Sequence, residues 1–365
     1  MMINYEKLMN KCIELAKQGE GKVSPNPLVG SLVLDEDNNV VGQGFHEQYG
    51  EAHAEVNAIA QAGEKAVGGT IFVNLEPCSH YGKTPPCADL IIKSGLKKLV
   101  VGMTDPNPKV AGSGLKKCKD AGIEVITGVL EDECSKLNEI FIKHITQNKP
   151  FVSIKTAMTL DGKIATKTGS SKWITSALAR EEVQKMRNKY DAILTGSNTV
   201  LIDNPSMTCR MKNGKNPIRV VVDSQLKTSF NSKIFEDDGT KIFIAIDENL
   251  NNGKMKEKPT HITFIKCPLI NNKINLEYLA LVLFQNGIRS ILIEAGGVLN
   301  GAFLKSGIVD KIYAFIAPKV LGDSEAKSII EGFDIQDINN CCNLEMTGVK
   351  QFLPDILLEY KVKMD

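Results

Sequence analysis

The spacing of apolar residues predicts alternating helices and strands over the first part of the chain. Apolar side chains recur at helical intervals between residues 5 and 16, whereas the short apolar runs 28–34 and 40–45 are typical of a strand hairpin. The same reasoning predicts a helix at 53–62, a strand at 70–75, a helix beginning at Pro85-Pro86, a strand at 99–103, a helix at 114–121 and a strand at 123–126. Such an order is typical of a layered α/β domain.

A polar stretch at 146–150 separates this pattern from a second one. The strands predicted there are 151–158, 191–195, 218–222, 241–246, 290–294 and 312–317, and the helices are 176–190, 276–286 and one that opens at 295–297 and runs through 305. Asn275 stands where it can cap the second of these helices. We therefore predict two α/β domains, residues 1–147 and 150–365, as the length of 365 residues also favours.

The amino-acid composition limits which binding partners and which cellular location we expect for the protein. The 44 Lys and Arg residues balance the 43 Asp and Glu residues, so the charge favours neither nucleic acid nor an anionic membrane as the partner. The N-terminus has no apolar signal core, and no apolar run is long enough to span a bilayer. We expect a cytoplasmic protein, in which nine cysteines are not a disulfide framework.

The candidate chemistry of the first domain lies in His53, Glu55, Cys78 and Cys87. One imidazole and two thiolates can hold zinc and leave a fourth coordination position open, which is the mark of a catalytic zinc site. A zinc-bound water ionises near neutral pH, and Glu55 can carry its proton. This is the arrangement of the zinc deaminases, in which the glutamate is not a ligand. In a purely structural site His80 could be the fourth ligand, but Glu55 would then have no role.

Two charged residues stand in predicted strands of the second domain. An unpaired charge is costly at such a position, so Lys155 and Glu294 are expected to share a pocket as an ion pair, unless each is a solvated edge residue. Segment 294–301 joins a strand to a helix through two glycines, so its amides and the helix N-terminus can bind an anion. It is not the G-x-G-x-x-G fingerprint, and a tight turn without a ligand is the alternative.

Several ordered motifs resemble the pyrimidine deaminase domain of riboflavin biosynthesis. They are SPNPLVG at 24–30, GFH at 44–46, HAE at 53–55, PCSHYGKTPPC at 77–87 and DPNP at 105–108. Eight residues separate the two cysteines where most zinc deaminases have two, and this long spacing is the riboflavin family's own form. Residues 155–301 resemble the pyrimidine reductase of the same pathway. The chain is thus similar over nearly its whole length to the bifunctional deaminase–reductases of riboflavin biosynthesis.

The resemblance implies an N-terminal cytidine-deaminase-like three-layer α/β/α domain and a C-terminal dihydrofolate-reductase-like α/β domain. It implies Zn²⁺ and NADPH as cofactors. The first reaction would be hydrolytic deamination of 2,5-diamino-6-(ribosylamino)-4(3H)-pyrimidinone 5′-phosphate. The second would reduce the ribosyl side chain to ribityl, giving 5-amino-6-(5-phosphoribitylamino)uracil. Glu55, Lys155 and Glu294 are then the candidate catalytic residues, with Lys155 as proton donor or electrostatic aid.

The resemblance also implies binding roles for individual residues. Substrate contacts in the first domain would be made by Asn26, His46, His80, Lys83, Asp105 and Asn107. NADPH contacts in the second domain would be made by Ala157, Trp173, Thr199, Asp203, Gly296, Gly297, Val298, Leu299, Asn300, Gly301 and Ala302. Substrate contacts there would be made by Ser171, Arg187, Met207, Arg210 and Glu294. Both arginines suit a phosphate through bidentate bonds, and Trp173 could instead be a core anchor.

Two other functions remain open at this point. One is a zinc deaminase of another nucleotide with an appended NADPH-binding domain, and the other is a zinc scaffold without catalysis. The near-neutral charge and the lack of a basic, aromatic stripe argue against a nucleic-acid substrate. We expect a small-molecule pyrimidine ribose phosphate as substrate, no nucleic-acid or membrane partner, and a homo-oligomer.

Overall fold

The structure of the protein is a computed structural model that describes residues 4–81, 85–107, 110–251 and 253–363. The chain divides into two compact units, residues 1–148 and 149–365. Among the described residues, no helix combines the length and the apolar character needed to cross a membrane.

The first unit is a sheet covered by helices. Its helices are α1 (Tyr5–Lys17), α2 (Ala54–Ala62), α3 (Cys87–Lys93), α4 (Ser113–Asp120), α5 (Glu131–Leu137) and α6 (Glu139–Gln147). Its strands are β1 (Gly30–Leu34), β2 (Val40–Phe45), β3 (Thr70–Leu75), β4 (Lys98–Met103) and β5 (Glu124–Ile126). The strand order is β2–β1–β3–β4–β5, with β1 antiparallel to both neighbours and β3, β4 and β5 parallel. Every residue of β1 and β3 is buried, because helices cover both faces in a three-layer α/β/α arrangement.

The second unit is built on a larger mixed sheet. Its helices are α7 (Ala177–Lys189), α8 (Ser197–Asp203), α9 (Leu276–Gln285) and α10 (Gly297–Lys305). Its strands are β6 (Phe151–Thr159), β7 (Lys163–Ala165), β8 (Ala192–Gly196), β9 (Ile218–Val222), β10 (Ile242–Asp247), β11 (Ile262–Cys267), β12 (Leu269–Ile270), β13 (Lys273–Ile274), β14 (Ser290–Ile293), β15 (Lys311–Ala317), β16 (Lys327–Ser328), β17 (Leu344–Phe352) and β18 (Asp355–Val362).

The large sheet has the strand order β11–β10–β9–β8–β14–β6–β15–β18–β17. Its strands are parallel from β11 to β15, whereas β18 and β17 are antiparallel to their neighbours. Ala192 and Leu194 of β8 belong to one apolar core and Ile193 between them to another, so both faces of the sheet are buried. The carboxyl ends of β8, β14 and β6 therefore meet at one edge, which is where α/β sheets commonly bind ligands.

The predicted helices and strands are confirmed, with ends that differ by at most two residues. Asn275 caps α9, since its Oδ1 accepts a hydrogen bond of 3.0 Å from the Tyr278 N–H. The structure also contains elements that were not predicted: α5, α6, α8, β11, β17, β18 and the short strands β7, β12, β13 and β16.

Candidate metal centre and reductase site

Three of the predicted metal ligands come together in the first unit. His53 precedes α2, Cys78 follows β3, and Cys87 is the first residue of α3. Their ligand atoms all lie within 4.8 Å of one another, with His53 Nδ1 3.2 Å from Cys87 Sγ and 3.6 Å from Cys78 Sγ. One imidazole nitrogen and two sulfurs at these separations are a donor set that fits zinc. His80 is exposed and outside this cluster, so it does not complete a closed structural site.

The two sulfurs of this cluster lie within 4.8 Å of each other. The neighbouring Cys87 and His53 lower the pKa of the Cys78 thiol to about 4, and Cys78 Sγ accepts a bond of 3.3 Å from the Cys87 backbone N–H. The neighbouring Cys78 and burial raise the pKa of Cys87. A coordinated divalent cation deprotonates thiols outright, so both sulfurs are suited to bind as thiolates.

Glu55 lies in the first turn of α2, where its side chain is buried. Burial raises the pKa of its carboxyl group to about 7, an effect that the neighbouring Cys78 strengthens and His53 opposes. A carboxyl group with a pKa near the working pH both accepts and donates protons efficiently. The environment therefore gives Glu55 the property that a general acid–base residue requires.

Two of the predicted substrate residues form a chain beside the metal cluster. His46 Nδ1 is 3.0 Å from the Ala52 carbonyl oxygen, and His46 Nε2 is 3.0 Å from Asn26 Nδ2. These partners place the proton on Nδ1, since the carbonyl can only accept and the amide nitrogen only donates. Burial lowers the pKa of His46, and its ring meets the His53 ring edge-on with centroids 5.5 Å apart.

The other predicted substrate residues follow β3 and β4. Asp105 is partly buried and accepts a bond of 2.8 Å from the Asn107 N–H. Its pKa is raised by burial and by the charges of Glu76 and Cys78, while His80 lowers it. Asp105 therefore lies within electrostatic reach of the metal cluster. Lys83 lies outside the described residues.

The predicted ion pair of the second unit is present. Lys155 Nζ is 3.1 Å from Glu294 Oε2, with 14% of the Lys155 side chain and 8% of the Glu294 side chain exposed, so the alternative of solvated edge residues is wrong. Arg187 of α7 joins them, with Nε 2.8 Å from Glu294 Oε1 and Nη2 3.1 Å from Oε2. Burial alone would raise the pKa of Glu294, but the charges of Arg187 and Lys155 lower it to about 2. Glu294 is thus an anion that holds two cations.

This geometry changes the interpretation of Arg187. The guanidinium group of Arg187 was predicted to bind a phosphate. In the structure its Nε and Nη2 bind Glu294, and Nη1 donates to the Thr208 carbonyl oxygen at 2.9 Å. Met207 is buried with a φ of 54°, and its Sδ is 3.7 Å from Arg187 Nη2. The arginine therefore ties α7 to the 207–208 segment and to the acid of β14. Arg210 is exposed, and Ser171 is partly buried.

Two glycines of the turn after β14 are required by close packing, which was not predicted from the sequence. A Cβ at Gly297 would overlap the Ser328 carbonyl oxygen, and one at Gly301 would overlap that of Glu331. A Cβ at Gly296 would meet nothing within 4 Å. Close packing against the protein itself is therefore a sufficient reason for glycine at positions 297 and 301, whatever binds at this turn. Only Gly296 borders open space.

The remaining predicted NADPH residues are distributed around this turn. Asn300 is fully buried and donates to the carbonyl oxygens of Ala295 and Ile329, so its side chain links the turn after β14 to the segment that contains Ile329. Val298 is exposed, Leu299 and Ala302 are half-buried, Ala157 shares a face of β6 with Lys155, and Thr199 and Asp203 lie in α8. Trp173 is 60% exposed with the Arg180 guanidinium 4.4 Å from its ring centroid, so the alternative of a core anchor is wrong.

Sequence reasoning missed Glu76 and Asn138. Glu76 is a buried carboxylate directly after the apolar strand β3, and its side chain accepts bonds from several backbone amides. An unpaired charge in or directly after an apolar strand is as costly at Glu76 as at Lys155 and Glu294, so the same pattern marks this position. Asn138 joins α5 to α6, and no local pattern marks it because its partner, Leu28, lies far away in sequence.

Comparisons with known proteins identify the family. Residues 150–358 match the family model described as RibD C-terminal domain, and residues 2–103 match the cytidine and deoxycytidylate deaminase zinc-binding region. The chain is 43% identical to the riboflavin biosynthesis protein RibD of Bacillus amyloliquefaciens, over 97% of this chain and 95% of that protein. The chain belongs to the RibD family.

Solved RibD structures have the same fold. Acinetobacter baumannii RibD superimposes with a TM-score of 0.87 at 36% identity, covering 99% of both chains. A diaminohydroxyphosphoribosylaminopyrimidine deaminase/5-amino-6-(5-phosphoribosylamino)uracil reductase from Thermotoga maritima gives 0.87 at 40% identity, covering 98% of this chain and 99% of that chain.

Membership of the RibD family settles the class of activity. The chain is a bifunctional enzyme of riboflavin biosynthesis, a zinc-dependent deaminase and an NADPH-dependent reductase. The cytidine-deaminase-like and dihydrofolate-reductase-like fold classes predicted from the sequence are confirmed. The two alternatives, a zinc scaffold without catalysis and a zinc deaminase of another nucleotide with an appended NADPH-binding domain, are both wrong.

Proposed function

We propose that the first unit, residues 1–148, hydrolyses the 2-amino group of 2,5-diamino-6-(ribosylamino)-4(3H)-pyrimidinone 5′-phosphate, and that the second, 149–365, reduces the ribosyl chain of the product to ribityl. The name of the Thermotoga maritima relative pairs these two activities on one chain. The observation that carries the first assignment is the cluster of His53, Cys78 and Cys87 beside the buried Glu55. A cytoplasmic location and a homo-oligomeric state belong to the same proposal.

In the deaminase unit, His53, Cys78 and Cys87 would hold zinc, and the metal would supply an activated water as the nucleophile. The Glu55 carboxylate takes a proton released in the pocket and delivers it to the departing amine. Because Glu55 is buried beside the metal ligands and is not itself one of them, it can serve both halves of the reaction.

Substrate contacts in this unit are assigned to residues around the cluster. Asn26 and His46 form one side, where neutral His46 is already oriented by the Ala52 carbonyl. Asp105 and Asn107 form another side, within electrostatic reach of Cys78. His80 and Lys83 complete the assignment, and Lys83 suits the substrate phosphate as a point charge.

In the reductase unit, the residues around the carboxyl ends of β6, β8 and β14 bind cofactor and substrate. NADPH, when bound there, would supply the hydride for reduction of the ribosyl group at C1′. Glu294 keeps the Lys155 ammonium in place at 3.1 Å, and Lys155 provides a proton or positive charge as the ribosyl ring opens. Ala157, Trp173, Thr199, Asp203 and the segment 296–302 are assigned to NADPH. Ser171, Met207, Arg210 and Glu294 are assigned to substrate, and Arg187 supports Glu294.

The test uses the full-length protein with zinc and the diaminopyrimidine phosphate, following ammonia release and NADPH oxidation separately. Glu55→Gln is expected to retain zinc and to lower deamination by at least about 10²-fold, because its proton carrier is lost. Reduction of the already deaminated substrate is expected to continue. As a matched variant, Cys78→Ser should lose zinc. Full zinc content in both Cys78→Ser and Cys87→Ser, or a parallel loss of reduction in Glu55→Gln, would contradict the proposal.

A further inference from the structure

A buried carboxylate adjoins the metal cluster and is not used by the proposed chemistry. Glu76 follows β3 and stands two residues before the ligand Cys78, with only 4% of its surface exposed. Its backbone N–H donates to the Met103 carbonyl oxygen at 2.9 Å, so the carboxyl ends of β3 and β4 are joined at this residue. The Glu76 side chain therefore begins where the chain leaves the sheet after β3, next to the point where it leaves after β4.

Both carboxylate oxygens of Glu76 accept hydrogen bonds from the loop after β4. Oε2 accepts from the Asp105 N–H at 3.1 Å and the Gly112 N–H at 2.9 Å. Oε1 accepts from the Gly114 N–H at 2.9 Å and the Leu115 N–H at 3.4 Å. One side chain thus binds the start of this loop, at Asp105, and its end, at the first turn of α4.

Two further contacts join the loop to the residues that flank Cys78. A Cβ at Gly114 would overlap the Pro77 carbonyl oxygen, so glycine permits the close approach of α4. On the other side of the ligand, Ser79 Oγ is 2.6 Å from Ser113 Oγ. The ligand-bearing segment and the start of α4 are therefore held together on both sides of the cysteine.

We propose that Glu76 is a positioning residue for deamination, which fixes the loop bearing Asp105 and Asn107 against the metal centre. This inference rests on the proposed function, in which those two residues contact the pyrimidine substrate. A carboxylate is required because each of its oxygens faces two N–H donors. A glutamine amide has one oxygen and one NH₂ group, so in either orientation its NH₂ would face two donors.

The test is Glu76→Gln in the full-length, zinc-loaded enzyme. Zinc content is expected to be unchanged, because His53, Cys78 and Cys87 are intact. The KM for the diaminopyrimidine phosphate is expected to rise about tenfold, the factor that corresponds to one ordinary buried hydrogen bond. The kcat should change less than KM, and reduction of the deaminated substrate should not change. Glu76→Asp keeps two acceptor oxygens on a shorter side chain, so its KM should lie between those of the wild type and the glutamine variant.

A matched control is Asp223→Asn in the second unit. Asp223 is also a buried carboxylate that accepts from backbone amides, those of Lys227 at 3.0 Å and Thr228 at 2.9 Å. Its substitution should leave the deaminase KM unchanged. An unchanged KM in both Glu76 variants, or a loss of zinc in Glu76→Gln, would overturn the positioning role.

A double variant separates this inference from the proposed function. If Glu76 acts through the loop, Glu76→Gln with Asn107→Ala should raise KM little more than Asn107→Ala alone. A raised KM in Asn107→Ala with a normal KM in Glu76→Gln would overturn the inference and leave the substrate assignment intact. An unchanged KM in both Asn107→Ala and Asp105→Asn would instead contradict the substrate assignment.

Discussion

Glu55 and Glu294 are both buried carboxyl groups, but their surroundings give them opposite properties. Burial raises the pKa of Glu55 to about 7. Two cations overcome the same effect at Glu294, and its pKa falls to about 2. When the environment moves the pKa values of two carboxyl groups apart, one group can exchange protons while the other stays charged. Glu55 is suited to transfer protons, whereas Glu294 stays ionised and orders Lys155 and Arg187.

The raised pKa of Glu55 predicts a pH dependence of stability. Without metal, the folded first unit holds a proton that the unfolded chain loses near the ordinary pKa of 4.5. Stability therefore falls as the pH rises from about 4.5 to about 7, and stays lower above that range. Between pH 4.5 and pH 8 the free energy of unfolding of metal-free wild type should fall relative to Glu55→Gln by on the order of 3 kcal/mol.

Amide hydrogen exchange of β3 and β4 in chelator-treated protein measures this difference. Fluorescence cannot replace it, because the single tryptophan, Trp173, belongs to the second unit. A gap between wild type and Glu55→Gln that does not vary with pH would contradict the assigned environment of Glu55.

At the scale of elements, the unpredicted helices α5 and α6 support the segment that carries Asn26, next to the metal cluster. Asn138, at their junction, accepts from the Leu28 N–H at 2.8 Å and donates to the Leu28 carbonyl oxygen at 3.0 Å. Both bonds are buried, and Leu28 is two residues from Asn26. Asn138→Ala is expected to destabilise the first unit by about 1–3 kcal/mol, because the buried Leu28 N–H loses its acceptor, while the Leu28 carbonyl keeps its bond from Asn74.

The same variant should raise the deaminase KM, since the loop that carries Asn26 loses a support. Thermal unfolding and steady-state kinetics of ammonia release measure the two effects. Asn343, an exposed residue of the second unit, provides a control whose alanine variant should change neither. Normal stability and KM in Asn138→Ala would show that the Leu28 contacts contribute nothing.

The turn after β14 gives a second prediction at this scale. Gly296 has a φ of −79°, which any residue adopts, and open space beside it. Gly296→Val should fold normally and raise the KM for NADPH, because the side chain enters the space assigned to the cofactor. Gly297→Val should instead destabilise the second unit by about 1–3 kcal/mol through overpacking against Ser328. Thermal unfolding with NADPH kinetics distinguishes the two, and unchanged NADPH binding in Gly296→Val would remove the turn from the cofactor site.

The sequence predicted what is local and missed what depends on distant contacts. Most strands of both sheets were found from their apolar runs, although the apolar strand β11 was missed, and the three zinc ligands were found because their motif is short. The hairpin of β17 and β18 was missed because β17 is mostly exposed and has few apolar side chains facing a core. The bond between Arg187 and Glu294 joins residues 107 positions apart, so no local pattern could reveal that the arginine fork is already used.

At the scale of the whole molecule, the residues assigned to the two reactions belong to different compact units. We expect Glu55→Gln chains to reduce but not deaminate, and Glu294→Gln chains to deaminate but reduce poorly. A mixture of the two should therefore restore NADPH oxidation from the diaminopyrimidine phosphate, with a lag while the deaminated intermediate accumulates in solution. Absence of NADPH oxidation in the mixture, with each single activity normal, would show that the intermediate does not leave the chain that forms it.

The pairing of β6 bears on how the protein is made by the ribosome. In the first unit β1 pairs with β2, which follows at once, so this sheet can close early in translation. In the second unit the first strand to emerge, β6, lies in the interior of the sheet between β14 and β15, and both neighbours come late in the chain: Phe151 pairs with Ser290 and Lys155 with Tyr313. N-terminal domains commonly fold while synthesis continues. If translation stalls after β6 but before β14 is made, the first unit can already be folded while both edges of β6 have no partner strand. Unpaired strand edges pair readily with other chains, so such a nascent chain becomes a target for chaperones and proteases.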